Sequence, residues 1–210
     1  MTDPVDQALR LSELVAARFA HELVGAAGAV ANGLELMQEL GADAGPDAAR
    51  LAADSAESLK ARLQFYRMAY GRAGREGPPL PELRALAVSF FEHAVDGVAL
   101  DWPMAPIVPT LQGGDGKLIL NLAALAAEAL PRGGRVALSL GEGRIELRAE
   151  GDEAALRADL TAALRLETPV DALTPRIVHA RLTGVLAREG GWTLAVEPAG
   201  EGGLRLAATR

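Results

Sequence analysis

The histidine at position 21 lies in the run FAHELVGAAGAVANGLELM, residues 19–37, whose residue types suit a helix with two unlike sides. At about 100° per residue, Phe19, Leu23, Ala26, Val30, Leu34 and Met37 fall in an apolar stripe. Arg18, His21, Gly25, Gly28, Asn32 and Glu35 fall on another side, polar and small. His21 is turned roughly 160° from Leu23, so its imidazole is expected to face solvent. A solvent-exposed imidazole is substantially neutral at pH ~7 and nucleophilic without special activation. Glycine inside a helix costs about 1 kcal/mol relative to alanine. Gly25 and Gly28 therefore point to a steric purpose: something must come close to this ring. The other two histidines, His93 in SFFEHAV and His179 in RIVHARL, read as structural.

The elements that must hold His21 follow from periodicity and punctuation. Residues 4 to about 40 predict one long helix, with Pro4 in its first turn and Gly41 as a stop. After the turn GADAGPD, a second helix is expected from about 47 to 70, with Leu51, Ser55, Leu59, Leu63, Tyr66 and Tyr70 on one side. Such a hairpin encloses no core by itself, so a second copy is expected to complete a four-helix bundle. The stretch GRAGREGPPLP, 71–81, is the best boundary, dividing a unit 1–74 from a unit 75–210.

Beyond the boundary the spacing predicts helices over 80–93 and 115–130 and strands over 98–104, 135–140 and 144–149. A helix through DEAALRADLTAALRL, another through PRIVHARLTGVLAREGG, and a closing hairpin of WTLAVEP and GLRLAATR complete it. The fold class is α+β: a helical hairpin, then an α/β sandwich of helices and antiparallel strands.

Composition narrows the function. A net charge of −7 lacks the basic footprint of a nucleic-acid binder. With no cysteines and three scattered histidines, neither a disulfide nor a zinc site is expected. The first residues do not read as a secretory signal. The run LNLAALAAEAL is too short to span a bilayer. A cytoplasmic protein without membrane association is the expectation.

Phe19-Ala-His21-Glu22-Leu23 followed by a long apolar helix resembles the phosphoacceptor motif of histidine-kinase dimerisation domains. The second half, in particular residues 113–140 and 175–210, resembles the kinases' ATP-binding (Bergerat) domain. The departures fall together on nucleotide chemistry. The kinase's second asparagine, which holds Mg²⁺, would stand four residues after Asn121, where this chain has Leu125. The first glycine box is replaced by EGDEAAL and the second, before Arg176, by VDALTP. A kinase architecture without an ATP site resembles the ChpT-type histidine phosphotransferases. The run Gly28-Ala-Val-x-Asn32-Gly-Leu-Glu-Leu and the stretch ARLQFYRMAYG, 61–71, are similar to theirs. Glu22 stands where Asp is more usual in that family, and Ala26 where Pro is common.

This resemblance implies a dimeric phosphotransferase. His21 would accept phosphoryl from an aspartate on the receiver domain of a hybrid histidine kinase and pass it to response-regulator receiver domains, without ATP. Glu22 would accept a hydrogen bond from Nδ1–H and fix the tautomer, and Arg18 would offset phosphate charge. Gly25, where phosphatase-competent kinases carry a hydroxyl or amide, implies poor phosphatase activity. Gly25, Gly28, Asn32, Arg62 and Arg67 are the expected partner-binding residues, Arg62, Arg67 and Arg72 forming a basic face. No cofactor is expected on this chain, Mg²⁺ being carried by the receiver domain. Asn121 reads as a remnant with a packing or capping role. The alternatives are a non-catalytic dimeric adaptor and an ATP-using autokinase, the latter disfavoured by Leu125 and the missing glycine boxes.

Overall fold

The computed structural model describes residues 3–41, 45–71, 79–104, 111–200 and 202–210. Helix α1 (Pro4–Leu40) starts where the Asp3 carboxylate accepts from the Val5 amide, and it stops at Gly41, whose φ of 51° favours glycine. Helix α2 (Gly45–Tyr70) returns antiparallel to it. The expected boundary falls on residues 72–78 and lies outside the described residues, as does Arg72. Helix α3 (Leu80–Ala94) leads to strand β1 (Val98–Asp101), which ends before Trp102-Pro103, and then to helix α4 (Asp115–Glu128). Strands β2 (Gly134–Gly141) and β3 (Arg144–Glu150), helices α5 (Ala158–Leu164) and α6 (Val178–Glu189), and strands β4 (Thr193–Pro198) and β5 (Gly203–Thr209) follow.

The five strands form one sheet in the order β1-β2-β3-β5-β4. It is mixed rather than wholly antiparallel, because β1 runs parallel to β2 with Val98 opposite Gly134. The crossover through α4 makes that pairing possible. Inward residues Val136, Leu138, Ile145, Leu147, Leu206 and Ala208 are buried beneath the helices. The buried core runs on without a break to Phe65, Tyr66 and Ala69 of α2 and Leu14 of α1. Phe65 stacks on Phe90 of α3 with ring centroids 3.9 Å apart. The hairpin is therefore seated on the sandwich.

Two further expectations need correction. First, the buried face of α2 is Ala48, Ala52, Ala61, Phe65, Tyr66 and Ala69, whereas Leu51 and Leu63 remain about half exposed. A Cβ on Gly33 would lie 2.9 Å from that of Ala52, so the two helices meet backbone to backbone through small residues. That close approach turns the leucines outward. Leu34 and Met37 of the α1 stripe are exposed for the same reason.

Second, the helix expected through residues 152–166 is confined to Ala158–Leu164. Residues 151–156 make a turn instead, with Glu153 at φ 58° and the Ala155 amide bonded to the Ala129 carbonyl at 2.9 Å. That tertiary bond outweighs a local preference for helix. Helix α1 is long and apolar enough to cross a membrane by length and composition, with a mean hydropathy of 1.3 over an 18-residue window that is 6% buried. Its exposed apolar residues include Val5, Leu9 and Val24.

Candidate functional site

The turn of α1 carrying His21 is fixed from beneath by an aromatic clamp. Phe19 stacks on Tyr66 at 5.0 Å and meets Tyr70 at 4.8 Å, centroid to centroid. With Phe19 held against α2, His21 two residues later is exposed. A Cβ on either Gly25 or Gly28 would meet nothing within 4 Å. Asn32 is exposed as well. These residues make one open strip along α1, one to three turns beyond the imidazole.

Arg18 and Glu22 belong to a different surface. Arg18 Nε pairs with Glu22 Oε1 at 3.0 Å, and its Nη2 donates to Glu128 Oε1 at 2.8 Å. Its Nη1 donates to the Arg176 carbonyl at 3.1 Å. The two terminal nitrogens are thus hydrogen-bonded, Nε lies in ion-pair range of Glu22 without an aligned hydrogen bond, and the side chain is only 16% exposed. The phosphate contact expected of Arg18 does not match this geometry, because its charge is already balanced by two carboxylates. Glu22 is held by Arg18 and lies 3.7 Å from Arg62 Nη1. Among the described residues, no hydrogen bond joins Glu22 to His21, so fixing the tautomer requires the carboxylate to leave an arginine.

Arg62, expected to bind a partner, instead donates to the Ala94 carbonyl and braces α2 against the end of α3. Arg67 is exposed in the last turn of α2. The strip and the ion cluster therefore flank His21 as separate features, and only the strip is free.

Two members of the cluster escaped the sequence reading. Glu128 is the last residue of α4, and His179 lies in the first turn of α6. His179 Nε2 stands 2.9 Å from Glu128 Oε1, with the imidazole side chain 1% exposed. Burial pushes the Glu128 carboxyl up, but His179 and Arg18 outweigh it, and the net shift is downward. Burial likewise raises the Tyr70 phenol beside them, against the nearby Arg18 charge. The available signal was weak: one acid in the otherwise apolar LAALAAEAL and one imidazole in RIVHARL, each at a buried phase of its helix.

The middle of α4 is closed. Asn121 is fully buried, and its Nδ2 donates to the Ala69 carbonyl at 3.2 Å and the Lys117 carbonyl at 2.8 Å. It ties α4 to the end of α2, a packing role. Leu125, one turn on, is also fully buried. A Cβ on Gly151 would lie 2.5 Å from the Gly133 carbonyl oxygen, so this glycine serves tight packing. The stretch before Arg176 forms a single 3-10 turn, Val170–Ala172. Among the described residues no three His, Asp or Glu side chains are grouped closely enough to hold a metal ion.

Residues 80–202 match the family described as the histidine phosphotransferase C-terminal domain. The chain is 32% identical over 212 residues to the protein phosphotransferase ChpT of Brucella abortus (strain 2308), covering 92% of this chain and 93% of that protein. A solved bacterial phosphotransferase structure superposes with a TM-score of 0.81 at 27% identity, covering 99% of this chain and 98% of the other. The histidine kinase domain of the blue-light activated kinase EL346 from Erythrobacter litoralis is more distant, with a TM-score of 0.47 and 14% identity over 97% of this chain and 93% of that one.

Proposed function

The chain belongs to the histidine phosphotransferase family and is a histidine phosphotransferase of a phosphorelay, and from that premise we propose that His21 is its phosphoacceptor. The observation that carries this reading is the exposed imidazole at the head of a strip where Gly25 and Gly28 leave open space. A receiver domain presents its phosphorylated aspartate in a recess, so the acceptor ring needs to project and its surroundings need to be low. The Nε2 lone pair attacks phosphorus in line. The P–O bond of the acyl phosphate breaks, and its electron pair returns to the aspartate carboxylate. The ring then bears the phosphoryl group on Nε2 and releases its Nδ1 proton to solvent or to Glu22. Transfer onward reverses these steps on a second receiver domain. Phosphoryl transfer is chiefly positioning and charge neutralisation, and Mg²⁺ on the receiver domain supplies the latter.

The donor in this reading is the receiver domain of a hybrid kinase, and the acceptors are response regulators. Both dock on the strip through Gly25, Gly28 and Asn32, with exposed Arg67 in the last turn of α2 as a further contact. The protein works in the cytoplasm as a homodimer. The exposed apolar residues Val24, Leu34 and Met37 of α1 and Leu51 and Leu63 of α2 face the second copy and close a four-helix bundle. ATP plays no part: buried Leu125 stands where a metal-holding oxygen would be needed, and the Asn121 amide is committed to two carbonyls.

Incubation with a phosphorylated receiver domain tests the assignment. Wild type is expected to take up acid-labile phosphoryl and His21→Ala none, whereas equal labelling would overturn it. Calorimetric ATP binding would contradict the ATP-free reading, and a monomeric mass by light scattering would contradict the dimer.

A further inference from the structure

The cluster of Glu22, Arg18, Glu128 and His179 joins the helix of His21 to the sandwich and is not itself part of the open strip. Arg18 spreads its guanidinium over three elements at once. Nε reaches Glu22 on its own helix, Nη2 reaches Glu128 at the end of α4, and Nη1 reaches the carbonyl of Arg176 ahead of α6. Glu128 in turn lies against His179 Nε2 at 2.9 Å, a close polar contact that is not an aligned hydrogen bond. Side-chain exposures of 16% for Arg18, 20% for Glu22 and 30% for Glu128 put the charges in a largely water-poor seam, where loss of one partner leaves another uncompensated.

Stability alone does not account for this arrangement. A buried ion network is often no more stabilising than well-packed apolar side chains of similar volume, and the neighbouring residues Ala124 and Ala127 of α4 would accept such packing. What the network supplies is direction. The planar fork of an arginine holds two carboxylates in fixed relation. One of those carboxylates is next in sequence to His21. A cleft of about 260 Å³, lined in part by Arg18, Glu22, Arg62, Tyr66 and Glu128, lies against the cluster and gives the arginine room to swing if its anchor is lost.

We propose that Glu128, seated on His179, is a positioning residue for phosphotransfer: it anchors Arg18, and through Arg18 it sets Glu22 and the turn of α1 that carries His21. Glu128 touches neither phosphoryl group nor acceptor ring. Its removal lets Arg18 turn toward Glu22 alone or into the cleft, and the turn of α1 that carries the imidazole loses its anchor on the sandwich while the docking strip stays intact. The inference rests on His21 being the phosphoacceptor.

The test is a double-mutant cycle of Arg18→Gln and Glu128→Gln in the full chain, with phosphoryl uptake from a phosphorylated receiver domain followed over a range of donor concentrations. Glu128→Gln is expected to lower kcat about tenfold with KM for the donor changed less than about twofold, the signature of lost positioning rather than lost docking. The double variant is expected to be no slower than the slower single one, because both remove one unit. His179→Gln, which keeps a polar side chain beside Glu128, is expected to retain most of the rate, and His179→Leu to behave as Glu128→Gln. Multiplicative effects of the two glutamine variants, or a change in KM alone, would overturn the clasp. So would wild-type kcat in variants that only melt earlier. Should Glu128→Gln fail to fold, Arg18→Gln leaves the Glu128–His179 pair in place, and an unchanged kcat there overturns the proposal by itself. His21→Ala is run in parallel. Label on that variant would overturn the phosphoacceptor reading. Its absence, together with an independent pair of glutamine effects, would overturn the clasp alone.

Discussion

Around His21 the surface of α1 is open: the ring is exposed, and the glycines one and two turns on have nothing within reach of an added Cβ. Around Leu125, in the last turn of α4, nothing is open. Leu125 and Asn121 are fully buried, the Asn121 amide is spent on two backbone carbonyls, and Gly151 packs against the Gly133 carbonyl. Both regions hold small residues, yet their glycines, Gly25 and Gly28 on α1 and Gly151 in the turn after β3, do opposite work. On α1 the glycines at 25 and 28 leave the surface open, whereas Gly33 is packed against Ala52. In the sandwich Gly151 lets this chain's own backbone fill the space. An identical residue type thus leaves a surface open or lets backbones pack according to what an added methyl group would meet.

The sharpest way to break this contrast is to put back the polar residue that the closed region lacks. Leu125→Asn is expected to cost about 2–4 kcal/mol in chemical denaturation, from lost apolar burial and an unpaired amide, and to give no ATP binding by calorimetry. Recovered ATP binding would show that the region is closed only by this side chain. The open strip responds differently. Gly25→Leu is expected to raise the KM for a phosphorylated receiver domain about tenfold, equivalent to roughly 1.4 kcal/mol of docking energy. The melting temperature should stay level or rise, since the helix gains about 1 kcal/mol in propensity. A fall in stability would mean that Gly25 is packed rather than open.

Gly33, on the same helix, makes the control. Its added Cβ would lie 2.9 Å from Ala52 Cβ and 3.0 Å from Ala52 Cα. Gly33→Ala is expected to destabilise by about 1–2 kcal/mol through overpacking, in contrast to an alanine at Gly25. The smallest effect concerns the outer face of the sheet, where Arg144, with Arg148 and Arg205, holds the Glu146 carboxyl down to about 2 against the cost of its burial. A depressed carboxylate contributes stability that is complete above its unfolded value near ~4.5 and is lost as pH falls toward ~2. After solvent screening of the exposed arginines this amounts to about 1 kcal/mol. Glu146→Gln should flatten the stability curve between those pH values, and an unchanged slope would contradict the pairing.

The long-period features of the fold were legible in the sequence. The 3.6-residue rhythm marked α1 and α2, and Pro103 and the Gly133-Gly134 turn bounded the strands nearly where they end. Residues 152–157 were not legible, because their helical composition yields to the Ala155–Ala129 bond and to the ion pairs of Arg132 with Asp152 and Glu153. The outward turn of Leu51 and Leu63 was hidden for a related reason: an apolar stripe does not say whether this chain or another covers it. Within the site, exposure of His21 and the cleared strip followed from helical phase alone. Glu128 and His179 could not be joined in advance, since nothing local ties the end of α4 to the start of α6. The engagement of Arg18 by Glu128 is the same kind of long-range fact, and it removes the arginine from the phosphate-binding role that its place one turn before His21 suggested.

The central claim is that the exposed imidazole of α1 carries the phosphoryl group. Tandem mass spectrometry of the full chain, quenched under alkaline conditions after incubation with a phosphorylated receiver domain, reads this directly. A single phosphoryl group on His21 is expected, with none on His93 or His179. Phosphorylation at another residue, with His21 unmodified, would contradict it.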